Sequence, residues 1–179
     1  MVEGYIEKTS SSPYQAPLLV VPKKGSNGVT KKRLCLDYRS LNKITKQDGY
    51  GMPLMESCLR TGSAKVFTKL DLASAFWQIP VYPADREKTA FCLDGQIYVW
   101  RVMPFGLMNA PASFQRLIDS IFSSLKGKFF HAYIDDLLTY SENFDEHLVH
   151  LEKILSFLSE GGLKASLEKP FGPHLKSII

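Results

Sequence analysis

Two hydrophobic periods divide this chain. Residues 65–72 alternate as a strand does: Val66, Thr68, Leu70 and Leu72 share one face, and Phe67, Lys69 and Asp71 share the other. Asp71 therefore projects away from the apolar face. Residues 18–21, 34–37 and 96–102 read as further strands. The first two flank a polar Lys/Gly/Ser/Asn stretch, which predicts a hairpin with a mobile basic loop. Two short apolar runs, 129–134 and 137–140, enclose Asp135 and Asp136 and predict a second hairpin with the acids at or near its tip. Residues 9–17 read as a turn-rich, extended entry segment.

The second period is helical. Over residues 111–125 an apolar stripe runs through Phe114, Leu117, Ile118, Ile121, Phe122 and Leu125. Asn109 is the expected N-cap, with Pro111 in the first turn. A second helix is expected over about 144–160, started by a capping box of Asn143 and Glu146 and stopped at Gly161-Gly162. Leu148, Leu151, Leu155 and Leu158 are its expected buried stripe. His147 and His150 read as part of its solvated face, in preference to a metal site.

Composition narrows the class. The chain has 179 residues, 45% hydrophobic and 22% charged, which suits a globular fold with a real core. The net charge of +4 permits a polyanionic partner without requiring one. Basic residues crowd one stretch: Lys23, Lys24, Lys31, Lys32, Arg33, Arg39, Lys43 and Lys46. They are either a solvated loop or a surface for an anion. Cys35, Cys58 and Cys92 are widely spaced, which argues against a zinc site or a disulfide framework and fits a reducing compartment. No apolar run approaches the length of a membrane span, and residues 1–12 lack the apolar core of a secretion signal.

Strands and amphipathic helices follow one another without the glycine signature of a dinucleotide fold, so the expected class is α+β. The strand carrying Asp71 can pair with the Asp135-Asp136 hairpin, with both helices behind. Three carboxylates would then share one solvent-facing edge. Three acids on two neighbouring strands suit a two-metal phosphoryl-transfer site, because Mg²⁺ is held by one or two carboxylates together with substrate phosphates. Consecutive strand residues point to opposite faces, so Asp135 is expected to bridge metals with Asp71, and Asp136 to play a lesser part.

Four ordered strings give these acids a family context. The run Thr68-Lys69-Leu70-Asp71-Leu72-Ala73-Ser74-Ala75-Phe76-Trp77-Gln78-Ile79 resembles the first catalytic motif of reverse transcriptases. Met103-Pro104-Phe105-Gly106-Leu107-Met108-Asn109-Ala110-Pro111-Ala112-Ser113-Phe114-Gln115 resembles the second, and Tyr133-Ile134-Asp135-Asp136 the third. Leu36-Asp37-Tyr38-Arg39-Ser40-Leu41-Asn42 resembles the fingers motif before them. The branch most resembled is that of Gypsy-type LTR retrotransposons, over about residues 12–169.

The resemblance implies an antiparallel palm sheet backed by helices, with a fingers subdomain and no thumb. It places fingers at about 1–46 and 79–108, and palm at about 47–78 and 109–179. It implies an RNA-directed DNA polymerase core from a polyprotein, taking deoxynucleoside triphosphates and an RNA or DNA template with a DNA primer. Asp71, Asp135, Asp136 and the carbonyl of Leu72 would hold two Mg²⁺ ions, with Mn²⁺ as a substitute. Phe76 matches the steric gate against a ribose 2′-hydroxyl; its other reading is an ordinary buried aromatic. The amides of Ser74 and Ala75 would face the triphosphate. Arg33 with Lys23 or Lys24 would clamp it. Phe105 and Gly106 would lie by the incoming sugar, and Tyr133 by the primer end. Lys169 stands near the family's general-acid lysine; its other reading is a solvated lysine.

Several positions depart from the family pattern. Ala75-Phe76 stands where Gly-Tyr is common, Met108 where lysine is frequent, and Lys32 where an aromatic is typical. Ala165-Ser166 replaces a frequent Leu-Asn, and Pro170 a cysteine. None removes a metal ligand. The chain is expected to stop before the thumb, connection and RNase H regions, with no protease or integrase segment, so those would be partners elsewhere in a polyprotein. The expected setting is intracellular, in a cytoplasmic particle or the nucleus. The competing expectation is an inactive or repurposed fragment that only binds nucleic acid. An RNA-making polymerase is disfavoured by Phe76.

Overall fold

The computed structural model describes residues 4–24, 30–53, 61–166 and 174–175, with 23, 24, 30–34, 174 and 175 described by backbone only. The chain forms two compact units, one of residues 1–48 with 76–110 and the other of 49–75 with 111–179.

In the first unit, β1 (Ile6–Thr9), β6 (Gln96–Trp100) and β5 (Phe91–Leu93) form one antiparallel sheet in the order β1-β6-β5. A separate hairpin pairs β2 (Leu18–Lys24) with β3 (Thr30–Leu36), placing Val21 opposite Arg33 and Lys23 opposite Lys31. It is the predicted basic hairpin, with longer strands than its apolar residues alone mark. A short helix, α1 (Arg39–Ile44), and two 3-10 helices (Ala75–Gln78 and Pro83–Thr89) complete the elements. Tyr38, Ala90, Phe91, Tyr98, Val99 and Met103 are buried here. The Tyr38 hydroxyl donates to the Thr89 carbonyl at 3.0 Å, and burial raises its pKa.

β1 was not legible in the sequence. Its four residues, Ile-Glu-Lys-Thr, carry too little alternation to mark a strand, and their order comes from pairing with β6, Ile6 opposite Trp100 and Thr9 opposite Ile97. β6 itself ends at Trp100, short of the expected Val102, which makes an isolated bridge to Pro80.

The second unit carries a four-stranded antiparallel sheet in the order β7-β8-β4-β9, from β7 (Phe130–Tyr133), β8 (Asp136–Ser141), β4 (Val66–Asp71) and β9 (His174–Leu175). Register puts Leu70 opposite Leu137 and Thr68 opposite Thr139, and puts Phe130 opposite Thr139 on the other side. Val66, Thr68, Leu70, Leu137, Thr139 and Phe130 therefore form one buried face. Both long helices lie on it: α2 (Ala110–Ile121) and α3 (Phe144–Glu160). Phe114, Ile118, Phe122 and Leu125 of the first predicted stripe are buried as expected, each contributing about 1.5–3 kcal/mol of transfer free energy. Phe122 packs on Phe130 with ring centroids 4.5 Å apart.

Four helix expectations need correction. Leu148 and Leu155 of α3 are about half exposed, and the buried positions are His147, Ile154 and Leu158. The helix is rotated so that a histidine faces the sheet, where it has partners. His147 Nε2 lies 2.8 Å from Thr68 Oγ1, and its Nδ1 lies 2.8 Å from Ser141 Oγ. His147 is thus a core residue; burial first, then repulsion from His150, lowers its pKa. Asn143 caps α3 by accepting from Glu146 N, but the Glu146 carboxylate accepts from Glu142 N, one residue before the expected partner. Asn109 is engaged outside α2: its Oδ1 accepts from Asp48 N and its Nδ2 donates to the Lys46 carbonyl.

Candidate active site

The acids gather at one end of the second unit's sheet. Alternation along β4 puts Lys69 and Asp71 on the face opposite the helices. Asp136 opens β8 directly opposite Asp71. Leu72 N donates to the Asp135 carbonyl at 3.2 Å, so the next register position is a hydrogen-bonded pair. Asp71 and Asp136 then form the non-hydrogen-bonded kind of pair, in which side chains approach most closely. Two carboxylates so placed repel each other.

Lys69 offsets that repulsion. Its Nζ lies 2.8 Å from Asp136 Oδ1 and 3.8 Å from Asp71 Oδ1. The hydrogen bond to Asp136 is the main cause that raises the Lys69 pKa, with the charges of Asp136, Asp71 and Asp135 adding to it. The side chain of Asp71 is 16% exposed and that of Asp136 49%, so the pair lies partly sheltered at the end of the two inner strands.

Asp135 occupies the exposed turn between β7 and β8. Its neighbour Ile134 has φ +54°, in the left-handed region that a β-branched residue rarely adopts, at a cost on the order of 1–3 kcal/mol. Gln115 of α2, fully buried, accepts a hydrogen bond from Ile134 N at 2.8 Å. Tyr133, at the end of β7, pairs in register with Asp136. Across from this turn, residues 164–166 run beside 71–73: Ser166 N donates to the Asp71 carbonyl, and Ala73 N to the Lys164 carbonyl. Ser74, exposed with φ +46°, leads into buried Ala75 and the first 3-10 helix.

Among the described residues, no group of three or more Asp, Glu, His or Cys side chains is arranged to hold a metal by itself. The donor set nevertheless suits a hard divalent ion. Two facing carboxylates already share an ammonium, and Mg²⁺ uses one or two carboxylates and completes its shell with water and phosphate oxygens. The fit is to an ion shared with a substrate.

The remaining predicted residues, Lys169 apart, belong to the first unit. Phe76 meets Phe105 edge-on, with centroids 5.3 Å apart, and Phe105 is 54% exposed. Gly106 has φ +95°, a conformation that favours glycine. Asn42 holds that loop from α1: its Nδ2 donates to the Gly106 carbonyl at 2.8 Å, and its Oδ1 accepts from Met108 N at 2.9 Å. The backbones of Lys23, Lys24 and Arg33 lie in the β2–β3 hairpin. Lys169 lies outside the described residues.

Residues 21–171 match the family model described as reverse transcriptase (RNA-dependent DNA polymerase). The chain belongs to that family. It is 42% identical, over 94% of its length, to the retrovirus-related Pol polyprotein from transposon opus of Drosophila melanogaster, and 41% identical to that from transposon gypsy. It spans 17% of the length of each of these polyproteins. The enzymatic polyprotein of cauliflower mosaic virus (strain NY8153) is 36% identical over 90% of the chain, which spans 24% of that protein. Among solved structures, the foamy viral protease-reverse transcriptase in complex with RNA/DNA hybrid superposes with a TM-score of 0.82 at 30% identity, covering 93% of this chain and 22% of that one. The antiparallel sheet backed by helices is the fold expected for a reverse transcriptase fragment. None of the described helices is long and apolar enough to cross a membrane.

Three residues of this reverse transcriptase domain escaped sequence reasoning as site residues. Lys69 was legible only as the polar position between Phe67 and Asp71. Gln115 and Asn42 stood inside the quoted strings without a role. Their amide side chains hold backbone 19 and 64 residues away in sequence, respectively. No local pattern signals such a contact.

Proposed function

We propose that this chain is the polymerase core of a retrotransposon polyprotein, adding deoxynucleotides to a primer 3′-hydroxyl on an RNA or DNA template. The observation that carries this is the facing pair Asp71 and Asp136 around one cation, with Asp135 at the adjoining turn. Asp71, Asp135, Asp136 and the Leu72 carbonyl are the groups that would hold Mg²⁺. When bound, the metal would supply activation of the attacking hydroxyl and charge neutralisation at the reacting phosphates.

The chain's own residues have separate tasks in this proposal. Lys69 holds the two carboxylates close without a divalent ion. Gln115 holds the turn from which Asp135 projects. By motif position, Phe76 excludes a ribose 2′-hydroxyl, and Arg33 with Lys23 or Lys24 neutralises charge on the triphosphate. The unit of residues 1–48 and 76–110 acts as fingers, and that of 49–75 and 111–179 as palm. The identity to Pol polyproteins supports a setting within a longer chain that supplies further grip on the duplex.

The test is extension of primed poly(rA) with labelled dTTP and Mg²⁺ by the 179-residue chain. Incorporation that vanishes in Asp71→Asn and Asp135→Asn is expected. Incorporation no higher than that of Asp71→Asn would overturn the polymerase proposal, and binding to an RNA·DNA hybrid that weakens with salt would then leave a nucleic-acid-binding fragment.

A further inference from the structure

Behind the acidic turn lies a polar network that the proposed chemistry does not use directly. Gln115 is fully buried and makes three hydrogen bonds. Its Oε1 accepts from Ile134 N at 2.8 Å, and its Nε2 donates to Asp119 Oδ1 at 3.1 Å and to the Ala132 carbonyl at 3.4 Å. Only this orientation of the amide satisfies all three partners, because Ile134 offers a donor while Asp119 and Ala132 offer acceptors.

Asp119, one helical turn further along α2, is itself held from two sides. The Tyr50 hydroxyl donates to its Oδ2 at 2.7 Å, and Lys126 Nζ lies 3.0 Å from its Oδ1. Arg116 lies over the Tyr50 ring, 4.8 Å from its centroid. Burial works against the Asp119 charge, but hydrogen bonds from Tyr50, Lys126 and Gln115 outweigh it and keep the carboxyl below its usual range. Asp119 is therefore a fixed anion, and it faces the amide end of Gln115.

We infer that Asp119 is a positioning residue: its carboxylate orients the Gln115 amide, which holds Ile134 in its left-handed conformation and so sets where Asp135 and Asp136 stand. Ile134 is intrinsically poor at φ +54°, so the turn keeps this shape only while a neighbour over-determines it. Gln115 is that neighbour, and it is reliable because a charged acceptor dictates which end of its amide points at the turn. With no acceptor at 119 the amide is free to flip and present Nε2 to Ile134 N, donor against donor. The network thus couples the next turn of α2 to the acidic turn. Its consequence for catalysis rests on the polymerase proposal; the geometric coupling does not.

The experiment is amide hydrogen exchange in the full chain without metal, resolved at Ile134, Leu137 and Thr139, for wild type, Gln115→Leu, Asp119→Ala and Asp119→Asn. Loss of one hydrogen bond of ordinary net strength should speed exchange at Ile134 about three- to tenfold in the first two variants. Leu137 and Thr139, in β8, should stay as protected as in wild type. Asp119→Asn retains an acceptor for Gln115 and should recover part of the protection. Should Gln115→Leu fail to fold, the two Asp119 variants decide alone, since that side chain is at the margin of the unit.

Unchanged exchange at Ile134 in Asp119→Ala would overturn the inference, as would equal acceleration at all three amides, which signals general destabilisation. If primer extension is measurable, Asp119→Ala should lower kcat several-fold at nearly constant KM for primer-template. A fall carried by KM alone would also overturn it. A wild-type chain inert in extension would remove the polymerase proposal while the exchange result stood by itself.

Discussion

Lys69 Nζ and Asp136 Oδ1 are 2.8 Å apart on the face of the sheet opposite the helices, and that ion pair keeps two opposed carboxylates together. An alternating strand puts Lys69 two residues before Asp71 on one face, and register puts Asp136 opposite Asp71. The ammonium therefore offsets the repulsion that, under the proposed function, a divalent cation would offset. Lys69→Met should lower Tm by about 1–3 °C in chelator, the range for a half-exposed ion pair in a chain of this size. Added MgCl₂ should raise Tm more in the variant than in wild type. Thermal unfolding in EDTA and in Mg²⁺ measures both, and equal Mg²⁺ shifts would count against a cation shared by this pair.

Sugar selection should rest on Phe76. Its ring is fixed against Phe105, which favours a single orientation over a mobile side chain. Phe76→Val should increase ribonucleotide incorporation relative to deoxynucleotide by at least about tenfold, the scale of one steric pocket contact. Competition between dTTP and UTP on primed poly(rA) reads the ratio, and an unchanged ratio would refute the assignment.

Acid should destabilise the second unit through His147. Its folded pKa lies below the ordinary 6.5, because burial and then His150 disfavour the imidazolium. The folded state binds fewer protons than the unfolded one in this range, so stability rises with pH there. It is complete above about pH 6.5 and is lost as pH falls through the folded value. His150 contributes in the same direction; burial is its main cause, Lys153 adds to it, and Glu146 opposes. Urea unfolding at pH 7.5 and pH 5 should show this loss, and His147→Gln should flatten it while costing about 1–3 kcal/mol at neutral pH from the buried partners Thr68 and Ser141. An identical pH slope in the variant would exclude His147 as its source.

Close packing at the end of α3 makes Gly161 hard to replace. A Cβ there would stand 2.7 Å from Ile121 Cδ1 and 3.1 Å from the Phe157 carbonyl. The backbone is ordinary at φ −75°, so the obstacle is space and not conformation. Gly161→Ala should destabilise by about 1–3 kcal/mol despite the better helix propensity of alanine. Ile121→Val removes the nearer clash, so the double variant should recover part of the loss in a urea-unfolding cycle.

Most of what the proposed chemistry needs was legible in the residues themselves. The alternation at 65–72 put Asp71 on the polar side of a strand, two apolar runs put Asp135 and Asp136 at a turn, and the four ordered strings named the family. A side chain's face on a strand, and a helix's apolar stripe as in Phe114, Ile118 and Phe122, are local consequences of backbone geometry, so local sequence carries them. Tertiary structure decided the rest. Pairing chose Asp136 as the residue opposite Asp71, a matter of register between strands 65 residues apart. It turned α3 so that His147 meets Thr68 and Ser141 while Leu148 and Leu155 face outward. It also brought Gln115 to Ile134 and Asn42 to Gly106. These contacts join groups far apart in sequence, and their energy depends on where the whole sheet and helices come to rest, so no local pattern can specify them.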